Sequence, residues 1–156
     1  VIYPPIDQFV GDYRWLSNFE AVEVELAGVT YDSVEHAYQA SKSEDPLTRI
    51  RIWSCQTPGE AKRIGKTLKP SKDWESRKLH IMFDLLQQKF NQQPFHSKLL
   101  GTGNRAIIEG NTWNDQFWGV YRGEGQNWLG VLIMCIRDKR MPSIPTPVRQ
   151  GALFDA

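Results

Sequence analysis

A carboxylate, a phenol, an amide and an ammonium follow one another along Ser33-Val34-Glu35-His36-Ala37-Tyr38-Gln39-Ala40-Ser41-Lys42. On a helix, Glu35, Gln39 and Lys42 share one face with Tyr38 beside them, because residues three and four apart lie on one side. Such a face can stabilise a developing cation, move a proton or present an amine. It fits equally a capped helix with a solvated charged face, the commoner use of mixed charges. Asp32 and Ser33 are both good N-cap residues, and Glu35 stands three after Asp32, as in a capping box. Val34, Ala37 and Ala40 are then expected to face the core. His36 turns off the Glu35 face, which predicts a core position or a backbone hydrogen bond for it.

Two further stretches mix aromatic and polar groups. Trp15-Leu16-Ser17-Asn18-Phe19 has no clean period and reads as a loop pinned by aromatics, with Ser17 and Asn18 bonding local backbone or facing a ligand. Gly110-Asn111-Thr112-Trp113-Asn114-Asp115-Gln116-Phe117-Trp118-Gly119 is a poor helix and a poor strand, and aromatic-rich loops of this kind often carry function. Six tryptophans is a high count for 156 residues. They fill cores or stack flat bases, and composition does not choose between the two. Between Glu60 and Lys78 seven basic residues stand against three acids, an excess able to bind phosphate or simply to be solvated.

The elements that must position these groups are partly legible. Phe9-Val10 is expected to begin a strand that Gly11-Asp12 breaks. Val22, Val24 and Leu26 alternate with Glu23 and Glu25, and Ala27-Gly28 precedes Val29-Thr30-Tyr31; this predicts a β-hairpin with its glutamates outward. Pro46 ends or restarts the helix begun at Ser33, and Leu47 to Trp53 follows as a short one. Thr57-Pro58-Gly59-Glu60 opens another helix, in which Gly65 predicts close approach by a neighbour. A longer helix follows Ser71, with Trp74, Lys78, Met82, Leu85, Leu86, Lys89 and Phe90 on one broad face. Pro94 starts a short helix, Ala106-Ile107-Ile108 reads as a strand, and Asn127 is expected to cap a buried helix from Leu129 to Arg137. Residues 141–156, with three prolines, read as an extended tail after a single domain over 1–140.

A formal charge of +1 argues against broad wrapping of nucleic acid, though not against a local phosphate site. Cys55 and Cys135 have neither disulfide-framework nor metal spacing. No apolar run reaches spanning length and no signal-peptide pattern is present, so a soluble, cytoplasmic domain without a membrane partner is expected. No obligate protein partner and no cofactor motif is evident.

Taken together, Trp15–Phe19, Ser33–Gln39 and Gly110–Gly119 resemble, in that order, the signature blocks of the NADAR (YbiA-like) family. Ala61-Lys62-Arg63-Ile64-Gly65, Lys72-Asp73-Trp74-Glu75 and Asn127-Trp128-Leu129-Gly130 agree. The resemblance covers roughly residues 8 to 138. It implies a compact, mainly helical α+β fold and an enzyme, without a metal requirement, that cleaves N-glycosidic bonds between ribose and a base-like group. Two substrate classes go with it: ADP-ribose attached to guanine, including guanine in DNA, and early phosphorylated intermediates of riboflavin synthesis. Breaking such a bond builds positive charge on the sugar while the leaving nitrogen needs a proton. Glu35 is the first choice for the essential carboxylate and Asp115 for the second. The resemblance also implies a Schiff-base lysine, for which Lys42 is placed on the Glu35 face and Lys62 is the other candidate. The polar, acidic segment Ser43-Glu44-Asp45 argues that the Lys42 amine is not lowered, leaving an ion pair with Glu35 as its other role. Trp74, Trp113 and Trp118 are candidates to stack the base, with Trp15, Phe19 and Tyr38 beside them. Ser17, Asn18, Gln39 and Asn111 would bond sugar or base edges, and Arg14, Lys62, Arg63 and Lys66 would hold phosphates. The rivals are a non-catalytic ADP-ribose-binding or nucleotide-binding module and a protein-interaction scaffold built on the tryptophans and the tail.

Overall fold

The computed structural model describes residues 1–146. Strand β1 is Ile6–Gln8. A 3-10 helix, Gly11–Leu16, leads into the hairpin of β2 (Val24–Leu26) and β3 (Val29–Tyr31). Four helices follow: α1 (Val34–Ala40), α2 (Pro46–Trp53), α3 (Pro58–Thr67) and α4 (Trp74–Phe90). Helix α5 (Phe95–Gly101), strands β4 (Ile107–Asn111) and β5 (Val120–Tyr121), and α6 (Trp128–Arg137) complete the order. The class is α+β and mainly helical. β4 is the middle of a three-stranded sheet and runs parallel to both β1 and β5; β2 and β3 pair antiparallel.

The first strand lies earlier than expected. Ile6 pairs with Ile107, and that long-range partner sets the register, while Phe9 drops into the core. The hairpin stands as read: Val22 and Val24 are buried, Glu23 and Glu25 exposed. Its turn has positive φ at both Ala27 and Gly28, which matches the twist of the strands.

Helix α1 departs from its sequence reading in two ways. Its cap is Ser33, whose Oγ accepts from the His36 amide at 3.1 Å, so no capping box ties Glu35 back to Asp32. Every residue of α1 is buried, which overturns the solvated-face alternative. α1 packs against α2, α3 and α4. Gly65 of α3 permits this approach, since a Cβ there would overlap the Gln39 amide. His36 is held as expected, its ring bonded to Ser33 Oγ at 2.7 Å and to the Cys55 carbonyl at 3.0 Å. A carbonyl only accepts, so Nε2 carries the proton.

Asn127 does not cap α6 with its side chain. It sits in the left-handed region (φ 54°) and bonds β4, accepting from the Glu109 amide and donating to the Ile107 carbonyl, both at 2.9 Å. Residues 141–146 form no regular element, and Ile144 packs on the core. The rest of the expected tail, 147–156, lies outside the described residues. Among the described residues no helix is long and apolar enough to cross a membrane.

Candidate active site

The carboxyl ends of β1 and β4 open into a cleft of about 630 Å³, the usual place for a ligand beside parallel strands. One wall is α1 with α3, the other the turn after β1 and the loop after β4; Met82 and Leu129 also line it. A smaller hollow of about 360 Å³ between the hairpin and α2 is mainly apolar, and we place the site in the larger cleft.

Glu35, Tyr38, Gln39 and Lys42 line the cleft together, as their helical spacing predicts. The Glu35 amide donates to the Asn18 carbonyl at 3.1 Å, which joins the start of α1 to the Ser17–Phe19 loop. Gln39 Nε2 donates to Glu35 Oε1 at 2.7 Å and so fixes the carboxyl. Burial pushes the Glu35 carboxyl up; the Gln39 bond and the charges of Lys62, Lys42 and His36 oppose that rise. Lys42 moves the other way. Burial lowers its ammonium, Glu35 opposes this, and the charges of Lys62, Lys78 and Lys66 add to it. The expectation from the neighbouring acids is therefore corrected: Glu44 and Asp45 are exposed, and the environment of the amine is set by the cleft.

Lys62 and Lys66, four apart on α3, also face the cleft. The Lys62 ammonium lies 5.7 Å from the Phe19 ring centre and 5.2 Å from that of Trp113, within cation–π range of both. It thereby links the two loops across the mouth. Arg14, Ser17, Asn18, Phe19, Asn111, Trp113, Asp115 and Trp118 complete the predicted residues that reach the cleft. Asp115 Oδ1 accepts from the amides of Phe117 and Trp118 at 3.0 and 2.9 Å, and Asn111 bonds both ends of the Asp115 backbone unit. These bonds fold the loop that presents Trp113 and Trp118.

Three predicted contact residues lie elsewhere. Trp15 points a third of a turn from Arg14 and sets its ring edge against Phe90, centroids 6.4 Å apart. Arg63 is one helical position from Lys62 and is exposed outside the cleft. Trp74 is buried against Tyr38, centroids 5.5 Å apart, and supports that ring from within the core. The basic run divides likewise. Only Lys62 and Lys66 of it line the cleft, while Arg77 and Lys78 pair with Asp73 and Glu75. Among the described residues no group of three or more His, Cys, Asp or Glu side chains is arranged to hold a metal ion.

Residues 8–140 match the NADAR domain. This chain belongs to the NADAR domain family. It is 37% identical over 132 residues to the N-glycosidase YbiA of Escherichia coli K12, covering 82% of each. It is 33% identical over 138 residues to the chloroplastic riboflavin biosynthesis protein PYRR of Zea mays, covering 78% of this chain and 22% of that one. The NMR structure of the E. coli protein YbiA superimposes with a TM-score of 0.77 at 34% identity, over 89% of this chain and 86% of that one. The three NADAR blocks read in the sequence are thus the three segments that meet at the cleft: the Ser17–Phe19 loop, α1 and the 110–119 loop.

The sequence reading missed two ionisable groups here. Glu109, at the end of β4, lines the cleft, and burial with the nearby Asp115 charge pushes its carboxyl up to about 7. An acid directly after Ile107-Ile108 was the available signal. Lys89, assigned only to a helix face, is fully buried, and its ammonium donates to the Ser17 carbonyl at 2.7 Å, anchoring the cleft loop from behind. Its place on one helix face with Met82, Leu85 and Leu86 was the available signal, although a lysine stem also lies on such a face with its ammonium in water.

Proposed function

We propose that this chain is an N-glycosidase that hydrolyses the bond between a ribose carbon and a base-like nitrogen, and that its substrate is ADP-ribose attached to guanine, free or in DNA. The observation that carries the reading is the pairing, in one cleft, of the buried Glu35 carboxyl with the partly buried Lys42 amine. A lowered amine is a nucleophile, and a raised carboxylate beside it is a base. In the proposed reaction the Lys42 nitrogen bonds to the anomeric carbon and passes a proton to Glu35. The carbon–base bond breaks, its electron pair staying on the protonated leaving nitrogen. The sugar ring opens to a Schiff base as its ring oxygen takes the proton back from Glu35, and water hydrolyses the Schiff base, returning the free amine and the released ribose aldehyde.

ADP-ribose is favoured by the number and spread of cations. Arg14 on one wall and Lys62 and Lys66 on the other supply charge for a diphosphate beyond what Lys42 uses. Phe19, Tyr38, Trp113 and Trp118 offer aromatic surface to the base, while Ser17, Asn18 and Asn111 offer polar groups to sugar or base edges. Asn18 Oδ1 is buried without a partner among the described residues and is suited to accept from a hydroxyl. Asp115 serves as the second carboxylate of the cleft through its charge and its hold on the loop. The relative from Zea mays, by its name, supports a second reading, hydrolysis of a phosphorylated intermediate of riboflavin synthesis.

The test is chromatographic. Wild type and Glu35→Gln are incubated with an oligonucleotide bearing ADP-ribosylated guanine, and free ADP-ribose is followed. Release by wild type alone is expected, with borohydride trapping a covalent adduct that Lys42→Arg abolishes. Release without a trapped adduct would replace the lysine route by water activated at Glu35. Hydrolysis of the riboflavin intermediate alone would favour the second reading, and turnover of neither would leave a binding module.

A further inference from the structure

Glu109 is the one acid of the cleft that the proposed reaction does not yet use. Its position is built from several directions. Asn127 clamps the backbone of β4 at the Glu109 amide and at the Ile107 carbonyl before it, and Gly119 leaves room for its carboxyl, since a Cβ at 119 would collide with Oε2. Asn111 Nδ2 stands 3.4 Å from that oxygen. Among the described residues the other oxygen accepts no hydrogen bond, so it is available to a ligand. Glu35 and Glu109 also differ in their neighbours. The charges of Lys62, Lys42 and His36 favour an ionised Glu35. Facing Glu109 are Asp115 from the loop and Glu35 from α1, opposed by the Asn111 hydrogen bond and by one cation, Lys62 from α3. Burial raises both carboxyls, and their different charged neighbours suit Glu35, among cations, to the base and Glu109, beside acids, to the acid.

We propose that Glu109 is a catalytic residue of the same reaction, the general acid that protonates the departing nitrogen. This rests on the N-glycosidase reading. As the bond between the anomeric carbon and the nitrogen breaks, its electron pair goes to the nitrogen, and the proton of the Glu109 carboxyl transfers there. Glu109 is left as a carboxylate and regains a proton from the water that completes hydrolysis. Burial keeps this acid protonated up to about pH 7.

Glu109→Gln, a neutral isostere, tests it on whichever ribosyl substrate wild type turns over. The variant is expected to lose about 10²–10⁴-fold in kcat with KM little changed, the range for a positioned acid. Wild-type kcat should decline above about pH 7, and the variant should lack that descending limb. A Glu109→Gln enzyme with wild-type kcat, a retained descending limb, or a change confined to KM overturns the proposal while leaving the glycosidase reading intact. If melting shows that this variant does not fold, Glu109→Asp replaces it; it should keep a descending limb at reduced kcat, and a flat profile overturns the proposal. Wild type inactive on both ribosyl substrates would take down the glycosidase reading itself, and this role with it.

Discussion

Replacing Lys89 by methionine should change how stability depends on pH. Lys89 is fully buried between the rings of Phe90 and Phe95, whose centres lie 5.2 and 5.1 Å from its nitrogen, and its partner is the Ser17 carbonyl. Desolvation brings its pKa down to about 7, against an ordinary 10.5, with Glu20 opposing. Between those two values the unfolded chain binds the more protons, so stability must rise with pH. Below about pH 7 the lysine is charged in both states and the whole burial penalty bears on the fold. Above it the folded amine sheds its proton and the penalty is progressively relieved, up to the unfolded pKa. At about 1.4 kcal/mol per pH unit, the gain from pH 6 to pH 9 is about 2.7 kcal/mol. Glu35, Glu109 and Lys42 also titrate abnormally, so the quantity to measure is wild type minus Lys89→Met, by urea unfolding at each pH. The lost bond to Ser17 adds a constant offset to that difference and leaves its slope untouched. A difference that stays flat within about 0.5 kcal/mol across this range would refute the reasoning, because the ammonium would then be solvated in the folded state.

Two other substitutions separate packing from chemistry. Gly65→Ala places a Cβ against the Gln39 amide and should cost about 1–3 kcal/mol by overpacking, with loss of turnover because Gln39 holds Glu35. Adding Gln39→Ala should restore much of the stability but not the turnover; thermal melts beside the release assay check both, and an unaltered melt for the single variant would contradict the contact. Trp113→Ala, at a side chain 57% exposed, should shift stability by no more than about 0.5 kcal/mol yet raise KM for a base-bearing substrate. Unchanged KM would remove this ring from the base site.

The periodic elements were legible because their signals are local. The alternation of Val22, Val24 and Leu26, the Thr57 and Pro58 helix start and the helical spacing of Glu35, Gln39 and Lys42 each need only a few neighbouring residues, and each has its counterpart in the fold. The three aromatic and polar blocks were also visible, as was the family they resemble. What stayed hidden depends on partners far along the chain. Whether α1 faced water or core turned on α3 closing over it at Gly65, and whether Lys42 sat among acids or lysines turned on the same packing. Arg63 and Lys62 are adjacent in sequence with like charge, yet about 100° of helical rotation sends one to solvent and the other to the cleft. Glu109 and Lys89 acquire their character only from desolvation, a property of the assembled surroundings that no residue type or spacing encodes. The sequence by itself thus determined most of the helices, the hairpin and which chemical groups are present; the tertiary structure decided where the long-range strand pairs, which of those groups share a cleft, and how burial shifts their protonation.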